Sequence, residues 1–310
     1  MLHKTCLIIA GPTAVGKTAL AIRAAQHFST EIISADSRQC YRELQIGVAR
    51  PSDEELAAVP HHFIASHSIH DSFSAADYEQ FALQKLTDLF QQHDTVVVTG
   101  GTGLYLRALT EGLDPIPAID PAIRVAIIEQ YEREGLNWLQ DAVAQADPLY
   151  VRTGEMQNPQ RLMRALEVVR GTGQSIVSFQ SRQKQERAFR IRKIYLDLPR
   201  ADLYDRIDRR VEAMMEAGLL EEARALYPYQ QLNALQTVGY REWFAYFDET
   251  NGIDDPERMA QTVALIKQHT RHYAKRQLTW LRSMDGLTVV DPLAANAGAG
   301  VMTLVEKHLA

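Results

Sequence analysis

The chain has 310 residues, 46% of them apolar and 23% charged, and a net charge of −6. That length holds one large or two smaller domains, the composition is that of a soluble globular protein, and no apolar run approaches the ~20 residues that would span a bilayer. Cys6 and Cys40 are the only cysteines; without ligand spacing they read as reduced thiols of a cytoplasmic protein, excluding a disulfide scaffold and a zinc site.

The first element is the apolar run at residues 7–10, which begins so near Met1 that no secretory leader is expected. Gly11, Pro12, Thr13, Ala14, Val15, Gly16, Lys17 and Thr18 follow it, and residues 19–25 carry a helical pattern. Strand, glycine-bounded loop and helix in that order form a phosphate-binding loop. Its backbone N–H groups and the helix N-terminus face an anion, Lys17 reaches the outer phosphates, and the Thr18 hydroxyl is offered to Mg²⁺. The loop does not name the phosphate it holds: a nucleotide such as ATP and another diphosphate fit equally.

Residues 31–36 read as a second strand that ends in Asp36 and runs into Ser37, Arg38 and Gln39. Ser74 is placed to cap a helix reaching about Gln92, with Asp77 at its third position. The β-branched run at 95–99 predicts a buried third strand, and Gly100, Gly101, Thr102 and Gly103 turn it into a helix at 104–110. This alternation predicts an α/β fold, a doubly wound parallel sheet like that of P-loop NTPases. Asp114, Pro115 and Pro117 then break the chain. Helical periodicity runs from Pro121 to about Gln180, and a strand resumes at 193–198. The expected organisation is therefore an α/β core of residues 1–113 and 190–310, with a helical insertion at 114–189. Long helices are expected at 201–217, closed by Gly218, and from Pro256 to Met284, then a strand at 288–291 and a C-terminal helix.

Ligands in such sheets bind beyond the carboxyl ends of the strands. The phosphate loop, the Asp36 turn and the Gly100–Gly103 turn converge there. Thr99 stands where many NTPases carry an acid that positions Mg²⁺, which weakens the case for ATP hydrolysis and leaves Asp36 as the acid at the site. Asp36 could bind Mg²⁺ through water, act as a general base, or cap the helix that follows. Charge is segregated: residues 160–210 hold 13 Lys/Arg against 6 Asp/Glu, and residues 258–284 hold Arg258, Lys267, Arg271, Lys275, Arg276 and Arg282 with no acid. That pattern fits either a polyanion-binding face or solvated helix faces.

Six blocks occur in order: 11–18, 34–41 (Ser-Ala-Asp-Ser-Arg-Gln-Cys-Tyr), 100–105 (Gly-Gly-Thr-Gly-Leu-Tyr), 158–168 (Asn-Pro-Gln-Arg-Leu-Met-Arg-Ala-Leu-Glu-Val), 238–242 (Val-Gly-Tyr-Arg-Glu) and 271–280 (Arg-His-Tyr-Ala-Lys-Arg-Gln-Leu-Thr-Trp). Together they resemble the tRNA dimethylallyltransferases, and the chain's end soon after the last block fits the bacterial type. The resemblance implies transfer of a dimethylallyl group from dimethylallyl diphosphate to the exocyclic amine of the adenosine 3′ of the anticodon in tRNA. It implies Mg²⁺ as cofactor and a cytoplasmic enzyme, expected as a monomer, whose partners are the tRNA anticodon stem-loop and the prenyl diphosphate. By the same resemblance Asp36 is the catalytic base, Thr102 and Arg124 line the route of the incoming base, and Arg210 lies near the diphosphate, with Arg206 one turn before it on the same helix face. The implied tRNA contacts are Asp36, Ser37, Arg38 and Gln39; Gln160, Arg161, Leu162, Met163 and Arg164; Gln236, Thr237, Val238, Gly239, Tyr240 and Arg241; and Lys275, Arg276, Gln277, Leu278, Thr279, Trp280, Leu281 and Arg282. A small-molecule P-loop kinase and a nucleotide-switched RNA-binding protein are the competing readings.

Overall fold

The computed structural model describes residues 4–180 and 183–292; the C-terminal helix expected from the sequence lies outside them. Six strands form one parallel sheet in the order β3-β2-β4-β1-β5-β6: β1 (Thr5–Ala10), β2 (Ile32–Ser34), β3 (His61–His62), β4 (Thr95–Gly100), β5 (Arg190–Leu196) and β6 (Leu287–Val290). The helices are α1 (Lys17–His27), α2 (Asp53–Ala58), α3 (Ala75–Leu89), α4 (Gly103–Glu111), α5 (Pro121–Ala146), α6 (Pro148–Thr153), α7 (Pro159–Thr172), α8 (Arg200–Glu216), α9 (Leu219–Leu226), α10 (Arg241–Thr250) and α11 (Pro256–Leu281).

The central strand β1 is buried along its whole length, as a parallel strand covered on both faces must be. Its side chains alternate between two cores. Cys6 and Ile8 join Val96 and Val98 of β4 on one face, beneath α3 and α4; Leu7 and Ile9 join Val97 on the other, beneath α1 and α8. The doubly wound α/β arrangement anticipated from the sequence is thus present. Both cysteines are buried and free, and burial pushes both thiols up to about 12, so they stay protonated at neutral pH.

The element boundaries depart from the sequence expectation in informative ways. The second strand stops at Ser34 because Asp36 already belongs to a turn: its Oδ1 accepts from the N–H groups of Arg38 and Gln39. The Ser74 cap is as expected, a reciprocal capping box with Asp77. The short elements α2 and β3 had no periodic signal long enough to read, and α10 was missed because its buried aromatics, Trp243, Phe244, Tyr246 and Phe247, follow directly on a loop.

Two compact units divide the chain: one formed by the segments up to Thr110 and from Glu186 onward, the other by Glu111–Gln185. The second unit is helical and has its own core, with Ile127, Leu139, Val143, Leu162 and Leu166 all buried. Helix α5 is broken at Gly135, whose φ of 76° is non-helical.

Gly100 ends β4 where a Cβ would run into the backbone of Ala35. A backbone neighbour has little room to yield, so Gly100→Ala should destabilise the protein by about 1–3 kcal/mol. Chemical denaturation of the variant beside the parent measures this directly.

Candidate active site

The phosphate loop leaves β1 and enters α1 through Gly16, whose φ of 102° is left-handed and suits glycine alone. Lys17 folds back over the loop, and its Nζ donates to the Pro12 carbonyl at 2.7 Å. Two arginines of α8 approach from outside: Arg206 donates to the Val15 carbonyl and Arg210 to the Thr13 hydroxyl, each at 3.3 Å. Their spacing of four residues puts both on one helix face.

A cavity of about 570 Å³ opens beyond this loop, lined by Lys17, Thr18, Asp36, Arg38, Gln39, Arg206 and Arg210 together with loop 47–50, loop 237–239 and one face of α11. The pairs Arg271–Asp208 and Lys267–Glu212 set α8 and α11 side by side and antiparallel. Moving away from the loop, α8 therefore presents Arg206, Arg210, Val211 and Met214, while α11 presents Gln277, Tyr273, Thr270 and Ile266. From Gln277 to Ile266 is about 16 Å along the helix axis at 1.5 Å per residue. Val48 and Val238 also line it. The cavity is thus cationic at the loop and carries apolar side chains, Val211, Met214 and Ile266, along its helical walls away from it, while Arg50, Glu55, Thr237 and Thr270 also line it.

Burial, reinforced by the nearby Arg210 charge and opposed by Asp36, lowers the Lys17 pKa to about 8. Burial also pulls Arg210 below its usual value, against the opposing pull of Asp36 and Glu55; a guanidinium starts so high that it stays charged. Glu55 of α2 is a second carboxylate on the cavity wall, missed in the sequence because its local role, closing the capping box of Ser52, is all that its spacing reveals.

Several sequence-selected residues hold the site together. The Thr102 hydroxyl accepts from the Ser37 N–H at 3.0 Å and donates to the Ser37 hydroxyl at 3.2 Å, so it fixes the Asp36 turn. Arg38 donates to the carbonyls of Asn233 and Ala234, and the Gln39 amide donates to those of Val48 and Ala49. Gln277 is buried: its Oε1 accepts from the Thr13 N–H at 2.9 Å and its Nε2 donates to the Gly101 carbonyl at 3.0 Å.

Other expected contact positions are core. Leu162, Met163, Tyr240 and Leu281 are buried, so their side chains hold their segments in place and leave any RNA contact to neighbours. The Tyr240 hydroxyl donates to Glu222 at 2.6 Å, and Leu278 and Trp280 pack against the core. In the unit that holds the sheet the exposed members are Gln236, Arg241, Lys275, Arg276, Thr279 and Arg282, and Arg282 is paired with Asp197 at 2.9 Å. Thr237, Val238 and Gly239 line the cavity. Arg124, Gln160, Arg161 and Arg164 belong to the second unit, where Arg124 and Arg164 both pair with Glu167, Arg124 also binds the Gln160 amide oxygen, and Arg161 pairs with Glu155.

Among the described residues, no helix is long and apolar enough to cross a membrane, and no group of three or more His, Cys, Asp or Glu side chains is placed to hold a metal. The donor set that does face the phosphate loop is Thr18 and Asp36. Two hard oxygen donors suit Mg²⁺, which binds through one or two protein groups and completes its shell with phosphate oxygens and water.

An anion bound at the loop favours the charged form of Lys17 and raises its pKa, so binding takes up a proton above pH 8. Affinity for inorganic diphosphate should therefore fall as pH rises through about 8, by up to tenfold per unit. Titration calorimetry between pH 7 and 9.5 measures this, with Lys17→Ala giving the slope due to the ligand's own ionisation. Identical slopes in the two proteins would remove Lys17 from the binding site.

The family model described as IPP transferase matches residues 39–284. The tRNA dimethylallyltransferase of Christiangramia forsetii is 48% identical over 274 residues, 88% of this chain and 89% of that protein. That of Cytophaga hutchinsonii is 47% identical over 279 residues, 90% of each chain. Among solved structures, the full-length tRNA isopentenylpyrophosphate transferase of Bacillus halodurans is 34% identical with a TM-score of 0.65, covering 93% of this chain and 90% of that one. With the phosphate loop, the Asp36 turn and the cavity in place, these matches have one reading: the chain belongs to the IPP transferase family.

Proposed function

We propose that this protein transfers the dimethylallyl group of dimethylallyl diphosphate to the exocyclic amine of the adenosine 3′ of the anticodon in tRNA, with release of diphosphate. The observation that carries the reading is the cavity's polarity. A phosphate loop with Lys17, Arg206 and Arg210 at one end, and Val211, Met214 and Ile266 on the helical walls away from it, suits a diphosphate joined to a short apolar tail.

In this reading the diphosphate lies on the phosphate loop, with Lys17 and Arg210 balancing the charge that grows on it as the allylic C–O bond breaks. The incoming amine is a weak nucleophile because its lone pair is delocalised into the ring. As its nitrogen forms the bond to carbon, its proton passes to the free oxygen of Asp36; the other oxygen is held by the Arg38 and Gln39 N–H groups. That turn, braced by Thr102, orients the base. Thr18, and Asp36 through water, would hold Mg²⁺, which supplies further neutralisation of diphosphate charge. The target adenosine must leave its stack to enter the cavity, and the helical unit with Arg161 and Arg164 is proposed as a contact for the tRNA backbone. A cytoplasmic, monomeric enzyme is part of the same proposal.

Incubation with unmodified tRNA and dimethylallyl diphosphate, without ATP, followed by nucleoside mass analysis tests the reaction: a prenylated adenosine supports it. A strict need for ATP with release of its outer phosphate would favour a kinase instead. Asp36→Asn keeps the side-chain shape and removes proton acceptance, so single-turnover rates should fall by about 10²–10⁴ while tRNA affinity changes little.

Replacing Arg161 and Arg164 together by Ala should weaken tRNA binding and leave inorganic diphosphate binding unchanged. If both contact phosphates, the log–log salt slope should flatten by about 1.5; an unaltered slope would take these two residues off the tRNA backbone.

A further inference from the structure

The cavity wall carries a polar group that the reaction just described leaves unused. Tyr273 lies on α11 one turn before Gln277 and almost one turn after Thr270, and all three line the cavity. Because Gln277 is tied to both Thr13 and Gly101, the height and rotation of α11 relative to the phosphate loop are fixed. Four residues rise about 6 Å, so Tyr273 stands one turn beyond the loop. The cross-helix pairs Arg271–Asp208 and Lys267–Glu212 set it level with the α8 turn that carries Arg206 and Arg210.

The Arg276 guanidinium sits 5.7 Å from the centre of the Tyr273 ring. The hydroxyl forms no hydrogen bond with any described residue, and it is not among the side-chain atoms sealed in the interior without a partner. It therefore opens on the cavity as a donor without an acceptor. Burial, and then the negative charge of Asp36, hold its pKa above the ordinary tyrosine value, so at neutral pH the phenol keeps its proton. The cations that act on it are Arg38 and Arg276, and a neutral phenol beside two guanidinium groups, in the cavity that Lys17 and Arg210 also line, complements an anion's oxygen.

We propose that Tyr273 is a further substrate-contacting residue, whose phenol donates a hydrogen bond to a diphosphate oxygen of the prenyl donor. This rests on the prenyl-transfer reading. As the allylic C–O bond breaks, its electron pair moves to the departing oxygen and the hydrogen bond strengthens there. The adenosine nitrogen forms the new bond to carbon and its proton goes to Asp36; Tyr273 begins and ends protonated. The block containing Tyr273 was legible in the sequence, but its charged members drew attention to RNA. The signal for Tyr273 is its i, i+4 relation to Gln277, which places both on one face.

The test compares the full-length wild type with Tyr273→Phe, which keeps the ring and its place beside Arg276 and deletes one oxygen. The readouts, taken well below the melting temperature of either protein, are single-turnover prenyl transfer at saturating donor, calorimetric binding of inorganic diphosphate, and tRNA affinity. Transfer should slow by about 10- to 100-fold and diphosphate should bind about tenfold more weakly, with tRNA affinity unchanged. Equal rates and equal diphosphate affinities in the two proteins would overturn the proposal. So would a loss confined to tRNA affinity, which would make Tyr273 an RNA contact. If the wild type forms no prenyl product, the transferase reading fails, and the diphosphate comparison still decides whether the phenol touches the anion.

Discussion

One buried amide sets the geometry on which the rest of the site depends. Gln277 receives the Thr13 N–H and gives its own N–H to the Gly101 carbonyl, joining the phosphate loop after β1 to the turn after β4 through a residue of α11. A primary amide suits this position because it offers an acceptor and a donor a short distance apart. A carboxylate would face the Gly101 carbonyl without a donor, and an apolar side chain would strand two buried backbone groups. The bridge also explains why α11, far along the chain, acts as part of the cavity wall: the helix that closes the cavity is the one that holds its phosphate end.

Beside α8 and α11 the walls are completed by loops, whose backbones are held by carboxylates from neighbouring helices. Glu222 of α9 accepts from the N–H groups of Gln45, Ile46 and Gly47 and from the Tyr240 hydroxyl. Glu242 of α10 is buried, accepts from the Gly239 N–H at 2.7 Å and meets His269 of α11 at 2.6 Å. Loops 47–50 and 237–239, which face the substrate space, are thus anchored from behind. From the Asp36 side Gln39 braces loop 47–50, and Arg38 braces the turn at Asn233 and Ala234 that precedes loop 237–239. Side-chain groups that satisfy backbone N–H and C=O in a non-helical wall make it rigid without secondary structure, and a rigid wall is what orients two substrates for one displacement.

That division explains what could be read from the chain. The phosphate loop, the Asp36 turn and the strands β1 and β4 were legible because each is a local pattern: an apolar run, a glycine spacing, a strand-terminal acid. Arg206 and Arg210 were legible as one helix face. The apolar lining of the cavity was not, because Val211, Met214, Val238 and Ile266 are ordinary apolar residues in sequence and become a pocket only when α8, α11 and a loop meet. Glu222 and Glu242 were hidden for the same reason: an acid in an amphipathic helix looks solvated until the backbone that it caps is known. Gln277 and Tyr240 fell inside blocks read as RNA contacts, and the structure gives both side chains to the protein interior.

The charge pattern changes meaning in the same way. The stretch 258–284 contains no acid, yet Arg258 pairs with Glu249, Lys267 with Glu212, Arg271 with Asp208 and Arg282 with Asp197. Apart from Glu249, just before the stretch, the acids come from elements distant in sequence, so segregation along the chain becomes pairing in space. Lys275 and Arg276 are exposed with no ion pair to a described residue. In the helical unit the arginines likewise meet Glu155 and Glu167. A paired guanidinium still has N–H donors to spare, so it can reach a phosphate while keeping its carboxylate. It does so from a field already partly neutralised, and the attraction between this acidic protein and a polyanion is then weaker than a count of arginines suggests. Recognition must draw correspondingly more on fit, through walls whose backbones are already fixed before any ligand arrives.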